Sequence, residues 1–155
     1  MEKVVRYVNS GVLAFCHRSD FRQNFIYKDR SCAVVTTKSR ITNANRKSVV
    51  AKSFKICRSA GSKALGLMFS DEAKVKRAAL LFEFGRPGFQ SLHMFFVFYK
   101  IDVLFLDANK QVVDVKEGFR PFTVYNSSKR SKYVIELPAG AVAGSRTKKG
   151  DRLEW

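Results

Sequence analysis

His93, Asp102 and Glu136 are the side chains whose types and spacing could carry acid–base chemistry. His93 opens an apolar run that ends at Tyr99, and Asp102 opens the next apolar run. A carboxylate beside an imidazole fixes its tautomer and raises its pKa, which would suit proton transfer. The competing interpretation is a core histidine bonded to a backbone carbonyl. We favour that interpretation because no nucleophile is recognisable beside His93, and a His/Asp acid–base enzyme remains an alternative.

The two carboxylates also have structural interpretations. Asp102 shares strand parity with Leu104 and Leu106, so it should point where apolar side chains point and should need partners. It would cap a turn, bond His93 or pair with a base, and a structural role is favoured over a catalytic one. Glu136 lies two residues before a Pro-Ala-Gly turn, where the simplest expectation is a solvent-facing side chain or one that braces the turn.

Two methionines adjoin the same region. With His93 they could form a soft site for Cu(I), but methionines that only fill a core are far commoner. No Cys-x-x-Cys pair and no Cys/His cluster with metal spacing is present, so we predict neither metal nor cofactor. The predicted pocket therefore consists of Met68, His93, Met94, Asp102 and Glu136. No catalytic residue is assigned within it.

The chain is strongly basic, with 29 Lys and Arg against 13 Asp and Glu and a formal net charge of +16. Three local clusters fall in predicted loops or edges and would form a phosphate-binding face if they converged. Their members are Lys74, Lys76 and Arg77; Lys129, Arg130 and Lys132; and Arg146, Lys148 and Lys149. The 14 Phe fit buried strand faces, which argues against an aromatic stacking platform. A solvated basic surface is the alternative interpretation.

These residues would be positioned by short strands. The chain has 155 residues, 46% of them hydrophobic, which suffices for one domain with a core. Aromatic and β-branched runs predict strands in 49–57, 79–84, 102–106, 111–115 and 132–137, with Gly85 to Gly88 ending the second. Leu92 to Tyr99 is apolar on both faces and predicts a central strand buried on both sides. The spacing predicts an all-β sandwich or barrel over 41–155, and 1–40 as an N-terminal extension that is partly or wholly mobile.

Targeting features are weak. No run of about 18 apolar residues exists, so no membrane-spanning helix is predicted. Charges interrupt the N-terminus at Glu2 and Lys3, which fits a signal peptide poorly. Three cysteines, an odd number, then suggest reduced thiols and a cytoplasmic location.

Four sequence blocks resemble the prokaryotic family known as domain of unknown function 192. They are Gly66-Leu-Met68, His93-Met-Phe-Phe96 running into Ile101-Asp-Val-Leu-Phe-Leu-Asp107, Val112-Val-Asp114, and Glu136-Leu-Pro-Ala-Gly140 with a closing Gly150-Asp151. The His-Met-Phe form looks archaeal, since bacterial members carry Trp-Met-Lys-Asn there. The resemblance implies a compact, jelly-roll-like β-sandwich with at most one or two short helices, and it implies no established activity.

The favoured hypothesis is a small cytosolic binding or accessory domain with a pocket around the His-Met strand. Its partner would be an unknown small molecule or protein. The first alternative is a nucleic-acid-associated basic protein, motivated by the net charge of +16. The second alternative is the acid–base enzyme built on His93 and Asp102.

Overall fold

The computed structural model describes residues 40–58 and 67–155, together with the backbone of Cys32–Ala33. Two short helices are present in this part of the chain, α1 (Glu72–Arg77) and α2 (Ala141–Ser145). The strands in chain order are β1 (Cys32–Ala33), β2 (Ile41–Asn43), β3 (Ser48–Ala51), β4 (Phe54–Cys57), β5 (Ala79–Gly88), β6 (Ser91–His93), β7 (Ile101–Leu106), β8 (Val112–Phe119), β9 (Val124–Asn126), β10 (Ser131–Pro138) and β11 (Leu153–Glu154).

A six-stranded sheet in the order β1-β4-β5-β10-β7-β8 forms the centre of the molecule. Its strand pairs are antiparallel except β4 and β5, which run parallel. All six residues of β7 are buried because the sheet is covered on both faces. Since successive strand residues point to opposite faces, β7 and β10 each supply side chains to two separate cores.

One core lies between the central sheet and the three-stranded sheet β11-β2-β3. Leu104, Ile135 and Leu137 meet Ile41 and Leu153 there, and α2 contributes to the same cluster. The other core lies on the opposite face, beneath α1 and the two-stranded ribbon β6-β9. The architecture is an all-β sandwich with two short helices, as the strand spacing predicted.

The prediction for Leu92 to Tyr99 was wrong. Regular strand ends at His93, and the next residues form turns instead of a central strand. Met94 and Val97 point into the core, whereas Phe95, Phe96 and Phe98 are exposed. Tertiary pairing decides this: the fully buried central position belongs to β7, and β6 pairs only with β9 at the surface.

Two further expectations meet different outcomes. β5 does not end at Phe84 but continues to Gly88, where Ser131 is its partner across a bulge. The predicted extension over 1–40 lies outside the described residues, apart from the Cys32–Ala33 backbone and Arg40.

Candidate functional site: an exposed phenylalanine patch

The five predicted pocket residues do not meet at one place. Asp102 lies on the same face of β7 as Leu104, which belongs to the core beneath the three-stranded sheet. Glu136 lies on the opposite face of the central sheet, together with its cross-strand neighbour Val103. The sheet therefore separates the two carboxylates. His93 lies on the ribbon side and is exposed, so it cannot bond Asp102 through the sheet.

Asp102 has a structural role. Its Oδ1 accepts a hydrogen bond of 2.9 Å from the backbone N–H of Gly118, and its Oδ2 accepts one of 3.1 Å from Val142 N–H. The first bond holds the β8 bulge at Gly118, where φ is +55°. The second holds the start of α2, so this buried carboxylate joins two elements through their backbone.

The remaining pocket residues occupy different depths. His93 stacks on Phe95 with ring centroids 5.0 Å apart. Met94 is buried in the core below the ribbon, and Met68 is partly buried in the turn Leu67 to Phe69. Among the described residues no group of three His, Cys, Asp or Glu side chains converges as a metal site would require.

Glu136 is buried, contrary to the expectation of a solvent-facing side chain. Its Oε2 has no hydrogen-bond partner within the described ranges. Burial disfavours the charged form and raises the pKa of Glu136 to about 8. The pKa of Tyr99 is also raised, first by burial and further by the charge of Glu136, although a hydrogen bond with Ser70 opposes this shift.

The basic clusters are divided between two ends of the molecule. Lys149 Nζ lies 2.7 Å from Asp114 Oδ1, and Ser128 N–H donates to Asp114 Oδ2 at 2.7 Å. This carboxylate therefore brings the second and third clusters together beside the start of β10. The first cluster lies on α1 near the far end of β10, since Leu80 of the following strand pairs with Glu136. The two ends are roughly 20 Å apart along β10.

Asp114 is held ionised by its partners. Burial by itself would raise its pKa, but hydrogen bonds from Lys149, Ser128 and Val115 outweigh burial and place the pKa well below its usual range. Tyr125 Oη donates a further hydrogen bond of 3.0 Å. The arrangement is that of a structural junction, with Lys149 bound to an internal partner.

Phe69, Phe96, Phe98 and Phe122 form an exposed cluster, here called the phenylalanine patch. Their exposed fractions are 69%, 45%, 68% and 55%. Phe69 and Phe96 are stacked with centroids 4.8 Å apart, and Phe98 meets Phe122 edge-on at 5.6 Å. Four neighbouring phenylalanine side chains would normally be buried in a core. Their exposure is typical of a surface that contacts a partner.

The backbone holds these rings in place. Phe69 N–H donates to Phe96 C=O at 2.9 Å, and Phe122 N–H donates to Met94 C=O at 3.0 Å. Ser70 and Tyr99 hydroxyls, 2.7 Å apart, tie the first two turns together again. Three turns from distant parts of the chain are thus joined into one surface.

Three of the four patch residues have left-handed backbone: φ is +54° at Phe69, +58° at Phe96 and +58° at Phe122. This conformation is unfavourable for a bulky residue, and glycine or asparagine would adopt it more readily. Backbone strain of this kind is concentrated at functional sites, where surrounding structure sustains it. The strain and the exposure occur at the same residues.

The patch is bordered by positive charge. Exposed Lys100 follows Phe98 by two residues, and exposed Arg120 precedes Phe122 by two. Helix α1, with the first basic cluster, begins three residues after Phe69. Asp71 caps that helix by accepting from Ala73 N–H, and Glu72 pairs with Lys76 at 3.0 Å. The ion pair engages Lys76 of the first cluster as well as Glu72, and the charges of Asp71 and Glu72 also act on Tyr99.

Sequence reasoning missed this surface because it treated every phenylalanine as a core residue. One available signal was the density of the run from Phe95 to Phe98, in which three of four residues are phenylalanine. Another was Pro121, which makes a turn at Phe122 plausible. The meeting of the three turns had no signal in the sequence.

Fold and surface together define a small β-sandwich domain with an exposed group of aromatic side chains. A sequence profile of the domain of unknown function 192 family, described as an uncharacterized ACR, matches residues 40–155. The chain belongs to this family.

Archaeal relatives support the assignment. A UPF0127 protein of Pyrococcus horikoshii is 39% identical over 95 residues, which cover 60% of this chain and 78% of the relative. A UPF0127 protein of Thermococcus sibiricus is 42% identical over 65 residues, 42% of each chain. One of Pyrococcus abyssi is 45% identical over 65 residues, 42% of this chain and 55% of the relative. The match thus spans about half the length of the last two.

Two solved bacterial structures share the fold. One, described as a putative transcription regulator from Sinorhizobium meliloti, has a TM-score of 0.64 and 24% identity, covering 74% of this chain and 89% of its own. The other, a protein of unknown function from Novosphingobium aromaticivorans, has a TM-score of 0.62 and 21% identity, covering 75% and 82%. No helix in the described part of the chain is long and apolar enough to cross a membrane.

Proposed function

We propose that this protein is a cytosolic binding domain that contacts a negatively charged partner through the phenylalanine patch. The observation that carries the proposal is the coincidence of exposure and strained backbone at Phe69, Phe96 and Phe122. A fold gains nothing from bulky residues that are both solvated and left-handed, so a contact made in the bound state is the simplest reason for them.

Charge supports a negatively charged partner. Residues 41–155 alone hold 21 Lys and Arg against 10 Asp and Glu. Lys100 and Arg120 each lie two residues along the chain from a patch phenylalanine, and both are exposed. A positive border around an apolar centre attracts an anionic partner during approach and leaves the aromatic rings to make close contact.

The alternatives have less geometric support. The acid–base enzyme needs His93 and Asp102 together, but Asp102 accepts hydrogen bonds from two backbone amides on the other face of the sheet. A groove of about 300 Å³ is lined by Arg58, Glu83, Phe84, Gly85 and Lys132, and it includes none of the five predicted pocket residues.

A photo-crosslinking phenylalanine analogue tests the proposal. Placed at Phe98 or Phe122 of the full chain, it should form an adduct in a cell extract, and the yield should fall as salt is raised. Phe89 is the matched control, because it is 69% exposed but follows the far end of β5. Equal yields at all three positions, or no salt-sensitive adduct at Phe98 and Phe122, would overturn the proposal.

A further inference from the structure

We infer that the partner of the phenylalanine patch is single-stranded nucleic acid, whose bases stack on the exposed rings while Lys100 and Arg120 contact phosphates. The inference rests on the proposed function and specifies its partner. It follows from three observations: which hydrophobic residues face outward, how their rings are arranged, and where the nearest positive charges lie.

The first observation is a sorting of hydrophobic types. Among the described residues, eight large hydrophobic side chains are exposed, and six of them are phenylalanine. The other two are Val49 and Val124, and no leucine or isoleucine is among them. Burial free energy hardly distinguishes phenylalanine from leucine or isoleucine, so it does not account for this sorting. A requirement for flat aromatic faces does.

The second observation concerns ring geometry. Phe69 and Phe96 are inclined by only 20°, so the pair presents nearly parallel faces, as a base stack requires. Phe98 and Phe122 are inclined by 73°, which leaves Phe98, 68% exposed, with an accessible face. Base–aromatic stacking tolerates any sequence because every base has a π-face. Bases within a duplex are covered by their neighbours, so the rings can reach them only in a single strand.

The third observation is the position of the cations. Lys100 and Arg120 flank the rings in sequence, and Lys74 lies on α1, five residues after Phe69 in the chain. A charged border around stacking rings is the usual arrangement for single-strand binding, in which the cations follow the phosphate backbone. A lipid surface would also accept cations, but it would accept leucine and isoleucine as readily as phenylalanine at the centre.

Fluorescence anisotropy with labelled oligo-dT and oligo-U of about 12 nucleotides provides the test, and comparing the two separates DNA from RNA. The full chain should bind one or both single strands more tightly than the corresponding duplex. Affinity should fall steeply between about 50 and 200 mM salt. Preference for the duplex, or no binding to either strand at low salt, would overturn the inference.

Variants separate stacking from charge. Phe98→Ser combined with Phe122→Ser should weaken binding about 5- to 150-fold for each stack lost and leave the salt slope unchanged. Lys100→Gln combined with Arg120→Gln should reduce the salt slope by about 1.4, the value for two single-strand phosphate contacts. Phe89→Ser, a change of the same chemistry away from the patch, should leave affinity unchanged. Circular dichroism spectra identical to the parent chain would show that the variants fold.

Failure of the inference is distinguishable from failure of the proposed function. Suppose that the patch variants leave oligonucleotide affinity unchanged while crosslinking at Phe98 still depends on salt. The partner is then not nucleic acid, but the patch still binds a negatively charged partner. Patch-dependent binding to phosphatidylcholine/phosphatidylserine vesicles, without oligonucleotide binding, would assign a lipid surface instead. If crosslinking at Phe98 also disappears, both proposals are wrong.

Discussion

Glu136 combines burial with a cross-strand position between Leu80 and Val103, where neither neighbour can stabilise a charge. The protonated form is therefore the one that folds best, and the pKa of Glu136 lies near 8. The unfolded chain has an ordinary glutamate, which loses its proton near pH 4.5. Between these two values the folded state holds one more proton than the unfolded state, so stability falls as pH rises.

Replacing Glu136 with glutamine should remove this pH dependence, because an amide does not ionise. Near pH 5 the parent and Glu136→Gln should have similar free energies of unfolding, whereas above about pH 8 the variant should be more stable by on the order of a few kcal/mol. Urea titrations at several pH values measure the difference. Glu117→Gln, at an exposed position, is the control. A constant difference between parent and variant from pH 5 to 9 would contradict the assignment.

Asp102 and Asp114 differ from Glu136 because their buried carboxylates have hydrogen-bond partners. Each is buried, yet each carboxylate accepts hydrogen bonds from backbone amides, and Asp114 also bonds Tyr125 and Lys149. At Asp114 such bonds favour the ionised form and offset the cost of burial. The stability that Asp114 contributes is present above its ordinary pKa and is lost as pH falls towards its lowered pKa. Buried carboxylates in this fold are therefore not equivalent.

At the scale of elements, each of the three turns of the phenylalanine patch contains a phenylalanine with left-handed backbone, which lowers the stability of the fold. Left-handed backbone costs an ordinary residue about 1–2 kcal/mol, and asparagine tolerates it better. Phe122→Asn should therefore leave the melting temperature unchanged or raise it, while it weakens binding of a partner. A thermal melt followed by circular dichroism measures the first effect.

The control for this change is Phe119→Ala, which empties a buried position three residues earlier. It should lower stability by about 3–5 kcal/mol, as expected for a core phenylalanine. If Phe122→Asn lowered the melting temperature by as much as Phe119→Ala does, the patch would be part of the folded core and not a contact surface.

At the scale of the whole molecule, the net charge of +16 makes the folded chain repel itself. Salt at about 300 mM shortens the Debye length to a few ångströms and screens this repulsion. We expect the melting temperature to rise between about 20 and 300 mM sodium chloride. Scanning calorimetry checks this. A fall would mean that ion pairs such as Arg46–Asp151 outweigh the repulsion.

The amino-acid sequence by itself determined the composition of the cores and the position of most strands. The runs at 102–106 and 132–137 are recognisable because β-branched and large apolar residues follow one another where both faces are buried, and β7 and β10 contain them. The family was also recognisable from its four blocks, and the profile match over 40–155 confirms it. Local chemistry suffices for such features because neighbours along the chain generate them.

Only the tertiary structure decided which side chains meet and which are exposed. Strand parity placed Asp102 with Leu104 correctly, but it could not show that Glu136 points to the opposite face of the same sheet. Hydrophobicity also assigned Phe96 and Phe98 to a core, because a residue's type does not reveal whether its strand is paired. Pairing between distant segments joined the turns at Phe69 and Phe122 to that run. Such pairings depend on the balance of all long-range contacts, which no single stretch of sequence contains.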